Sequence, residues 1–307
     1  MANRVQPTQV GVDVSKAELV ISINGDKPFA LPNTLKAIRQ WLRQMAGPLE
    51  LAMEATSHFH LVLADEAHRR GHCVYLINGY RLNRYRDSIG GRAKTDEQDA
   101  CLLVRYLQRE RADLRPWVPP SRQHRQLQVL LHRRATLVQA KVRLQQSFSE
   151  IKELAVSLRA LVRQIERVDL LMQKQIRQVM TQAGWLADAQ RCQAIEGIGP
   201  LTAAALVMAY HRGNFRNSDA FIAFLGLDVR VRDSGTKRGR RCLTKQGDPE
   251  LRRLLYLAAM QARQRPVWQG FYQRYLDRGL AAIQVFVILA RKLARVAFSL
   301  MRNQTEY

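Results

Sequence analysis

Four acidic residues are candidates for chemistry, because two of them lie within apolar runs and the other two lie close together in the sequence. Asp13 lies between valines in GVDVSK, and Glu54 ends the apolar run LELAME. Asp96 and Asp99 stand three positions apart in KTDEQDA, which places both on one face of a helix. A buried carboxylate must be paired, protonated or bound to a cation. Carboxylate oxygens suit Mg²⁺, so the four acids predict a magnesium site that could act on a phosphodiester.

Each of these acids alone also has a plainer interpretation. Asp96 could be a helix N-cap, Asp99 a partner of the helix dipole, and Glu54 a charge at a strand end. The joint pattern favours the metal site, because acids buried in strands are rare. Spacing by itself does not name the reaction.

A second candidate for chemistry is a serine in a basic segment. Ser234 lies in RVRDSGTKRGRRC, and its hydroxyl could attack a phosphodiester while guanidinium groups stabilise the transition-state charge. The plainer interpretation is a turn residue ahead of Gly235. No histidine is near in the sequence, so activation would come from a metal, a distant carboxylate or the cationic field. The basic residues predicted to contact nucleic acid are Arg230, Arg232, Lys237, Arg238, Arg240, Arg241 and Lys245.

The run IEGIGPLTAAALV resembles a helix-hairpin-helix turn. The backbone amides of Gly197 and Gly199, and the helix start at Thr202, could face a phosphate. Glycine would be needed because the backbone must turn sharply and approach closely. The alternative is a plain tight turn between two helices.

The charge of the chain is strongly positive and unevenly distributed. The 307 residues include 49 Lys+Arg and 26 Asp+Glu, a net charge of +23. Residues 1–100 carry +2, residues 101–200 carry +9 and residues 201–307 carry +12. Arginine outnumbers lysine 39 to 10, which suits bidentate phosphate contacts. The sequence therefore predicts a nearly neutral region that keeps its acids, followed by regions that bind a polyanion.

Composition and patterning disfavour several other classes of protein. A hydrophobic content of 47% excludes wholesale disorder. The four cysteines form no CxxC pair, so neither a zinc knuckle nor a disulfide framework is expected. The start MANRVQPTQVGVDVS has no signal-peptide pattern, and the longest apolar stretch, Leu280–Ala290, is too short to span a bilayer. We expect a bacterial cytoplasmic protein with no membrane partner, associated with the nucleoid when it acts.

The elements that must position these residues follow from the hydrophobic pattern. QVGVDVS and ELVISIN predict a β-hairpin, followed by a helix over 34–45, the strand LELAME, a helix over 57–70, the strand CVYLIN and a helix over 96–110. This order predicts a mixed α/β layer, and RPWVPPS (115–121) predicts a domain boundary.

The rest of the chain is predicted to be mostly helical. Residues 123–180 contain no Gly or Pro and have apolar residues at helical spacing, which predicts two long helices or an antiparallel coiled-coil hairpin. This arm could be a structural or dimerisation element, or could contact a polyanion directly. We expect three domains: 1–115 with the acids, 116–186 as the arm, and 187–307 with Ser234 and the glycine turn.

These motifs together carry a family resemblance. GVDVSK, AMEAT and KTDEQDA resemble the DEDD pattern of the insertion-sequence transposases related to the Piv invertases. IEGIGPLTAAAL, FIAFLGL and DSGTKRGRRCLTKQGDPELRRLLYLAA are similar to the C-terminal transposase domain of that family. The resemblance covers nearly the whole chain, with both motif sets in the expected order.

The resemblance implies a RuvC-like, RNase H-type first domain, a coiled-coil arm, and a C-terminal domain that supplies a serine. In that family the serine forms a covalent phosphoserine link to DNA, and the DEDD site of one subunit acts with the serine of another. Carried over to this sequence, Asp13, Glu54, Asp96 and Asp99 would bind metal and Ser234 would be the nucleophile. The family also implies a structured bridge RNA that pairs with target and donor DNA.

We therefore expect a Mg²⁺-dependent, RNA-guided DNA recombinase of a mobile element, active as a homodimer or homotetramer. The absence of a GxxxxGK[ST] loop fits a covalent intermediate that conserves bond energy. The first alternative is a RuvC-like nuclease or resolvase, whose acids activate water and whose Ser234 only contacts phosphate. The second is a nucleic-acid-binding protein without enzymatic activity.

Overall fold

The computed structural model describes residues 7–90, 95–231, 233–235, 237–239 and 241–307. The chain divides into two compact units, Met1–Pro119 and Pro120–Tyr307. The division falls inside RPWVPPS, where prolines restrict the backbone and remove amide donors. Each unit has its own hydrophobic core.

A mixed five-stranded sheet forms the centre of the first unit. Its strands lie in the spatial order β3-β2-β1-β4-β5. Pairing is antiparallel among β1, β2 and β3, whereas β4 pairs parallel with both β1 and β5. The predicted hairpin and mixed α/β layer are confirmed. The strands are β1 (Thr8–Val14), β2 (Glu18–Ile23), β3 (Phe29–Pro32), β4 (Leu49–Glu54) and β5 (Cys73–Ile77).

Helices cover both faces of this sheet. Side chains alternate along a strand, so Val10 and Val12 of β1 face α1 (Leu35–Gln44) and α2 (Leu61–Arg69). The opposite face packs against α3 (Gly79–Ser88) and α4 (Asp96–Glu110), with Tyr75 and Leu103 in its core. A strand acid therefore faces one helical layer or the other according to its position.

Helix α3 is missing from the sequence-based prediction. Its sequence GYRLNRYRDS buries only Leu82 among its ten residues, so it has no apolar stripe to reveal a helix. The local signal was Asn78, whose side chain caps the helix by accepting from the amides of Tyr80 and Arg81. Helix α2 also begins later than predicted, because residues 57–60 form a turn.

The second unit begins with two long helices. α5 (Arg122–Ser147) and α6 (Ala155–Gln182) run antiparallel. Ion pairs join Arg134 to Asp169 at 2.7 Å and Lys141 to Glu166 at 3.4 Å. The two predicted long helices are present, while their coiled-coil character stays a prediction.

The remainder of the second unit is a helical bundle with short β-strands. Helix α8 (Pro200–Tyr210) is apolar on every side and lies at the centre, and its seven consecutive residues from Ala203 to Ala209 are buried. The other elements of the bundle are α7 (Leu186–Ala194), α9 (Ser218–Phe224), β6 (Val229–Arg230), β7 (Asp233–Ser234), β8 (Lys237–Arg238), β9 (Cys242–Leu243), α10 (Pro249–Ala262), α11 (Pro266–Leu276) and α12 (Ala282–Asn303). Within the described part of the chain, no helix combines the length and apolar character needed to cross a membrane.

The base of the long helices shares the core of this bundle. Leu127 and Leu131 of α5, and Ile176 and Val179 of α6, belong to the same buried cluster as the bundle helices. The segment 116–186, predicted as a domain of its own, is thus continuous with residues 187–307 at this end.

Candidate active site and nucleic-acid interface

Asp13 and Glu54 lie at the carboxyl ends of two neighbouring parallel strands, Asp13 one residue before the last of β1 and Glu54 as the last residue of β4. Val12 of β1 pairs with Met53 of β4, so the two acids occupy the next position on each strand. By the alternation along both strands, their side chains lie on the α4 side of the sheet. The sheet topology thereby brings together two acids that are far apart in the sequence.

A glycine allows α4 to approach these acids. Gly11 lies two residues before Asp13, on the same face of β1. A Cβ atom at Gly11 would lie 2.1 Å from the carbonyl oxygen of Ala100 and 2.8 Å from the amide nitrogen of Val104. Only glycine accommodates helix backbone at this distance. The close approach places the first turn of α4, which carries Asp96 and Asp99, beside the ends of β1 and β4.

The electrostatics of Asp13 reflect this arrangement. Burial and, to a smaller extent, the negative charges of Asp96, Asp99 and Glu54 together raise the pKa of Asp13 to about 6. All three carboxylates are therefore near enough to Asp13 to disfavour its ionised form. The four acids predicted from the sequence form one electronegative cluster.

Asp96 is not the N-cap of its helix, contrary to the plainer interpretation. Thr95 is the cap, and its hydroxyl accepts from the amide of Gln98. Asp96 is exposed in the first turn, whereas Asp99 is buried. Both carboxylates remain available for a role other than capping.

Sequence reasoning missed two residues of α3 that contact the acids. Arg86 donates from Nη2 to Oδ1 of Asp99 at 2.5 Å. Gly79 begins α3, and a Cβ there would lie 2.2 Å from Oε1 of Glu54. The Glu54 carboxylate therefore packs against the first turn of α3, where the helix dipole favours a negative charge.

Ser234 lies at the end of a short strand of a β-hairpin. Val229 pairs with Leu243 and Ser234 pairs with Lys237, both antiparallel. Gly235 follows Ser234 with φ +55°, a conformation that favours glycine. Ser234 is exposed beside this turn. The strands have two residues each, too short for an alternating pattern to announce them.

The base of the hairpin is anchored by close backbone packing. A Cβ at Gly226, where φ is +67°, would lie 2.4 Å from the amide nitrogen of Gly247. One at Gly247 would lie 2.4 Å from the carbonyl carbon of Leu225, at the end of α9. The Thr244 hydroxyl also donates to the Asp228 carboxylate. The hairpin is thus fixed at its base and presents the serine at its tip.

Asp233, next to Ser234, holds the two arms of the hairpin together. Arg241 donates to its Oδ1 at 2.5 Å and to its Oδ2 at 2.9 Å, and the Gly239 amide donates to Oδ1 at 3.0 Å. Arg241 and this amide hold the pKa of Asp233 below its usual value, so its carboxylate is a weak base toward the serine hydroxyl.

The predicted phosphate-binding residues of the hairpin are placed as follows. Arg241 pairs with Asp233, Arg230 lies half-buried on β6, and Lys245 follows β9 with φ +56°. Arg232 and Arg240 lie outside the described residues, as do the side chains of Lys237 and Arg238.

The glycine turn joins α7 to α8 but faces inward. A Cβ at Gly197, where φ is +96°, would lie 2.6 Å from the Ala262 Cβ of α10. Thr202 is buried, and its hydroxyl donates to the carbonyl oxygen of Leu254 at 3.5 Å. The prediction that Thr202 faces a phosphate is therefore wrong. Gly199 is exposed ahead of Pro200 and remains a candidate contact.

Comparison with known proteins places these motifs in one family. Residues 10–151 match a model of DEDD transposases of the IS110 type, described as transposase, and residues 189–273 match the model described as transposase IS116/IS110/IS902 family. The first match contains all four acids, and the second contains Ser234 and the glycine turn. The chain belongs to the IS110/IS116 family of DEDD transposases.

Relatives of this IS110/IS116 transposase include proteins named for DNA rearrangement. The pilin gene-inverting protein of Moraxella bovis is 28% identical over 319 residues, covering 98% of this chain and 97% of the relative. The pilin gene-inverting protein of Moraxella lacunata is 28% identical over 84% of this chain and 82% of the relative. The transposase for insertion sequence element IS1328 of Yersinia enterocolitica is 35% identical over 39% of this chain and 37% of the relative.

As a member of this family, the transposase is an enzyme that cleaves and rejoins DNA. DEDD transposases are typically metal-dependent, and the donor set here fits a hard divalent cation. All four candidate ligands are carboxylates, and their mutual repulsion at Asp13 would be relieved by a bound cation. Among the described residues, no three His, Cys, Asp or Glu side chains are already grouped closely enough to hold a metal ion.

Proposed function

We propose that this transposase joins DNA through a covalent phosphoserine at Ser234, with Asp13, Glu54, Asp96 and Asp99 holding Mg²⁺. The observation that carries the proposal is the hairpin, which is anchored at its base by glycine packing and presents an exposed serine, in a segment whose sequence is rich in basic residues. A nucleophile must be accessible to its substrate and must be held in a fixed orientation. An anchored hairpin with an exposed serine meets both requirements.

The covalent step conserves the number of phosphodiester-type bonds. The Ser234 oxygen forms a bond to the scissile phosphorus and loses its proton, while the bond from phosphorus to the leaving sugar oxygen breaks and that oxygen takes up a proton. A sugar hydroxyl of the partner strand then attacks the serine ester and restores the serine. Bond energy is kept throughout, so no nucleotide hydrolysis is needed.

The acid cluster and the basic hairpin have separate tasks in this proposal. Mg²⁺ held by the four carboxylates would polarise the phosphodiester. The guanidinium groups of the hairpin bind the phosphate and stabilise the charge that develops during attack. Asp233 keeps the turn that carries Ser234 closed, because its carboxylate ties the two arms together.

The names of two relatives favour strand joining over strand cutting. Inverting a pilin gene, as the Moraxella proteins are named for, requires cut ends to be rejoined in the opposite orientation. We extend this to the present chain as recombination of donor and target DNA. The excess positive charge of residues 101–307 supports binding of polyanions, and we propose a structured bridge RNA as one of them.

The decisive experiment is a denaturing gel of the full chain with candidate RNA, Mg²⁺ and labelled donor and target DNA. We compare wild type with Ser234→Ala, Asp13→Asn and Ser149→Ala, the last an exposed serine on the turn between α5 and α6. The expected result is a protein–DNA adduct in wild type and Ser149→Ala that is absent in the other two. Loss of the adduct when the RNA is omitted would support RNA guidance.

The alternative function is hydrolysis by the acid cluster alone. It draws on the same carboxylates, whose grouping around Asp13 suits water activation as well as phosphate binding. Free DNA ends that persist in Ser234→Ala would establish this alternative and reduce Ser234 to a phosphate contact.

The subunits are proposed to act as a homodimer or homotetramer in which one subunit supplies the acids and another supplies the serine. Mixing inactive Ser234→Ala with inactive Asp13→Asn tests this arrangement. Recovery of recombinant product in the mixture is expected. Continued inactivity, with mixed oligomers present, would mean that both sites must come from one chain.

A further inference from the structure

Arg86 forms a largely buried ion pair with one of the four acids. Its Nη2 lies 2.5 Å from Oδ1 of Asp99, and the two side chains are 12% and 7% exposed. Its Nη1 donates to Oδ1 of Asn83 at 2.7 Å. The guanidinium is therefore held between an acceptor on α3 and an acceptor on α4, in a fixed orientation.

This pair compensates charge in the acid cluster. Carboxylates brought together by the close approach of α4 repel one another, and a buried charge is costly unless it is paired. Arg86 supplies a positive charge to the member of the cluster that is most withdrawn from solvent. A carboxylate oxygen in a short contact with a guanidinium cannot bind a metal ion in the same direction, so Arg86 and a metal ion compete for Oδ1 of Asp99.

A cavity lies next to the ion pair. It has a volume of about 370 Å³. Its polar lining comes from Arg86, Arg105, Gln98 and the carboxylate of Glu97, and Ile89 and Leu102 contribute apolar lining. The two arginines outnumber the single carboxylate, so the lining suits an anion such as a phosphate. The Arg86 guanidinium could therefore pair either with Asp99 or with an anion in this cavity.

We propose that Arg86 is a positioning residue that occupies Asp99 in the metal-free transposase, yields Asp99 to the metal ion, and then binds a DNA phosphate in the adjacent cavity. The inference rests on the proposed function, because it requires the four acids to bind the metal. The exchange makes metal loading and DNA binding cooperative: the metal releases the guanidinium, and the phosphate keeps it from returning.

The first test measures Mn²⁺ binding to the full chain by titration calorimetry, with Arg86→Gln compared with wild type and with Arg105→Gln. Arg105→Gln is the control, because it removes one positive charge from the same cavity and leaves the contact between Arg86 and Asp99 in place. Arg86→Gln is expected to bind Mn²⁺ about tenfold more tightly than wild type, since no ion pair must break, and Arg105→Gln about as tightly as wild type. Equal affinities for the two variants, or weaker binding by Arg86→Gln, would overturn the proposal.

Thermal unfolding supplies a readout that does not depend on measuring affinity. Without metal, Arg86→Gln is expected to unfold at a lower temperature than wild type, because Asp99 loses its partner. Saturating Mn²⁺ should reduce the difference between the two unfolding temperatures. If Arg86→Gln does not fold, Arg86→Lys retains the charge without the planar fork and should bind Mn²⁺ with intermediate affinity. Wild-type affinity in Arg86→Lys together with an unchanged unfolding temperature would refute the competition.

The second test measures the binding of a short DNA duplex with and without Mn²⁺. Mn²⁺ is expected to strengthen DNA binding several-fold more in wild type than in Arg86→Gln. An equal gain in both proteins would overturn the transfer of Arg86 to the phosphate.

Asp13→Asn separates failure of this inference from failure of the proposed function. If wild type and Asp13→Asn bind Mn²⁺ equally, the acids are not the metal site and both proposals fail. If Asp13→Asn alone loses Mn²⁺ while Arg86→Gln and Arg105→Gln match wild type, the metal site stands and only the role of Arg86 is refuted.

Discussion

Gly11→Ala tests whether close packing of α4 on β1 creates the acid cluster. The added Cβ would lie 2.1 Å from the Ala100 carbonyl oxygen and 2.8 Å from the Val104 amide nitrogen. Both atoms belong to helix backbone, so neither can rotate aside as a flexible side chain would. Restoring an ordinary contact requires α4 to move away from the strand by roughly 1 Å.

The size of the effect follows from this displacement. Overpacking a core typically costs about 1–3 kcal/mol, and we expect the upper end because the obstacle is backbone. A loss of about 3 kcal/mol corresponds to roughly a hundredfold faster amide exchange in α4 when exchange occurs by local opening. A misplacement of about 1 Å at reacting groups can lower the rate about a hundredfold, so recombination should fall by a similar factor.

The assay combines hydrogen exchange of α4 peptides with the yield of recombinant product. The control is Gly25→Ala, in a turn with φ +92° and no atom near the added Cβ. It should cost about 1 kcal/mol through backbone strain and leave recombination unchanged. If Gly11→Ala keeps wild-type exchange in α4 and wild-type recombination, the argument that this contact positions the acids is wrong.

Three further outcomes are expected. Gly79→Ala should displace the Glu54 carboxylate. Because the Glu54 side chain can move away from the added Cβ, the fold should lose little stability while recombination falls. Unchanged recombination in the gel assay would contradict this. Asp233→Asn should loosen the arms of the hairpin and reduce adduct formation without affecting Mn²⁺ affinity, which calorimetry checks. His132 pairs with Asp248 at 2.7 Å, and this hydrogen bond raises the pKa of His132 and lowers that of Asp248. The pair therefore stabilises the folded state between about pH 4 and 6.5, and this stabilisation is lost as the pH rises through the raised pKa of His132. The difference in the urea midpoint of unfolding between wild type and His132→Gln should be larger at pH 5.5 than at pH 8.5.

The patterns that predicted the fold are those in which burial repeats along the chain. β1 and β4 are recognisable as strands because Val and Gly in TQVGVDV and Leu, Ala and Met in LELAME form short buried runs, and these runs made Asp13 and Glu54 conspicuous. Helix α4 carries both an apolar face and an acidic first turn. Where an element buries apolar side chains at regular spacing, the sequence reveals both whether it is a helix or a strand and which acidic residues interrupt the apolar pattern.

The predictions failed where a segment gains its structure from contacts elsewhere. Helix α3 has one buried residue and no stripe, so Arg86 was not recognised as a neighbour of the acids. The hairpin of Ser234 depends on Gly226 and Gly247 packing at its base rather than on strand propensity. Thr202 looked available at a helix start but lies against α10.

The sequence by itself determined the types of the main elements, the two strand acids, the acidic pair on one helix face, and the surplus of positive charge in the second half. These depend on local periodicity and composition, which any stretch of chain displays alone. Only the tertiary structure decided that Gly11 admits α4 to the strand ends, that Arg86 holds Asp99, and that the glycine turn faces α10. Each of these is a contact between elements, and its partner is set by the packing of the whole unit rather than by neighbours in the sequence.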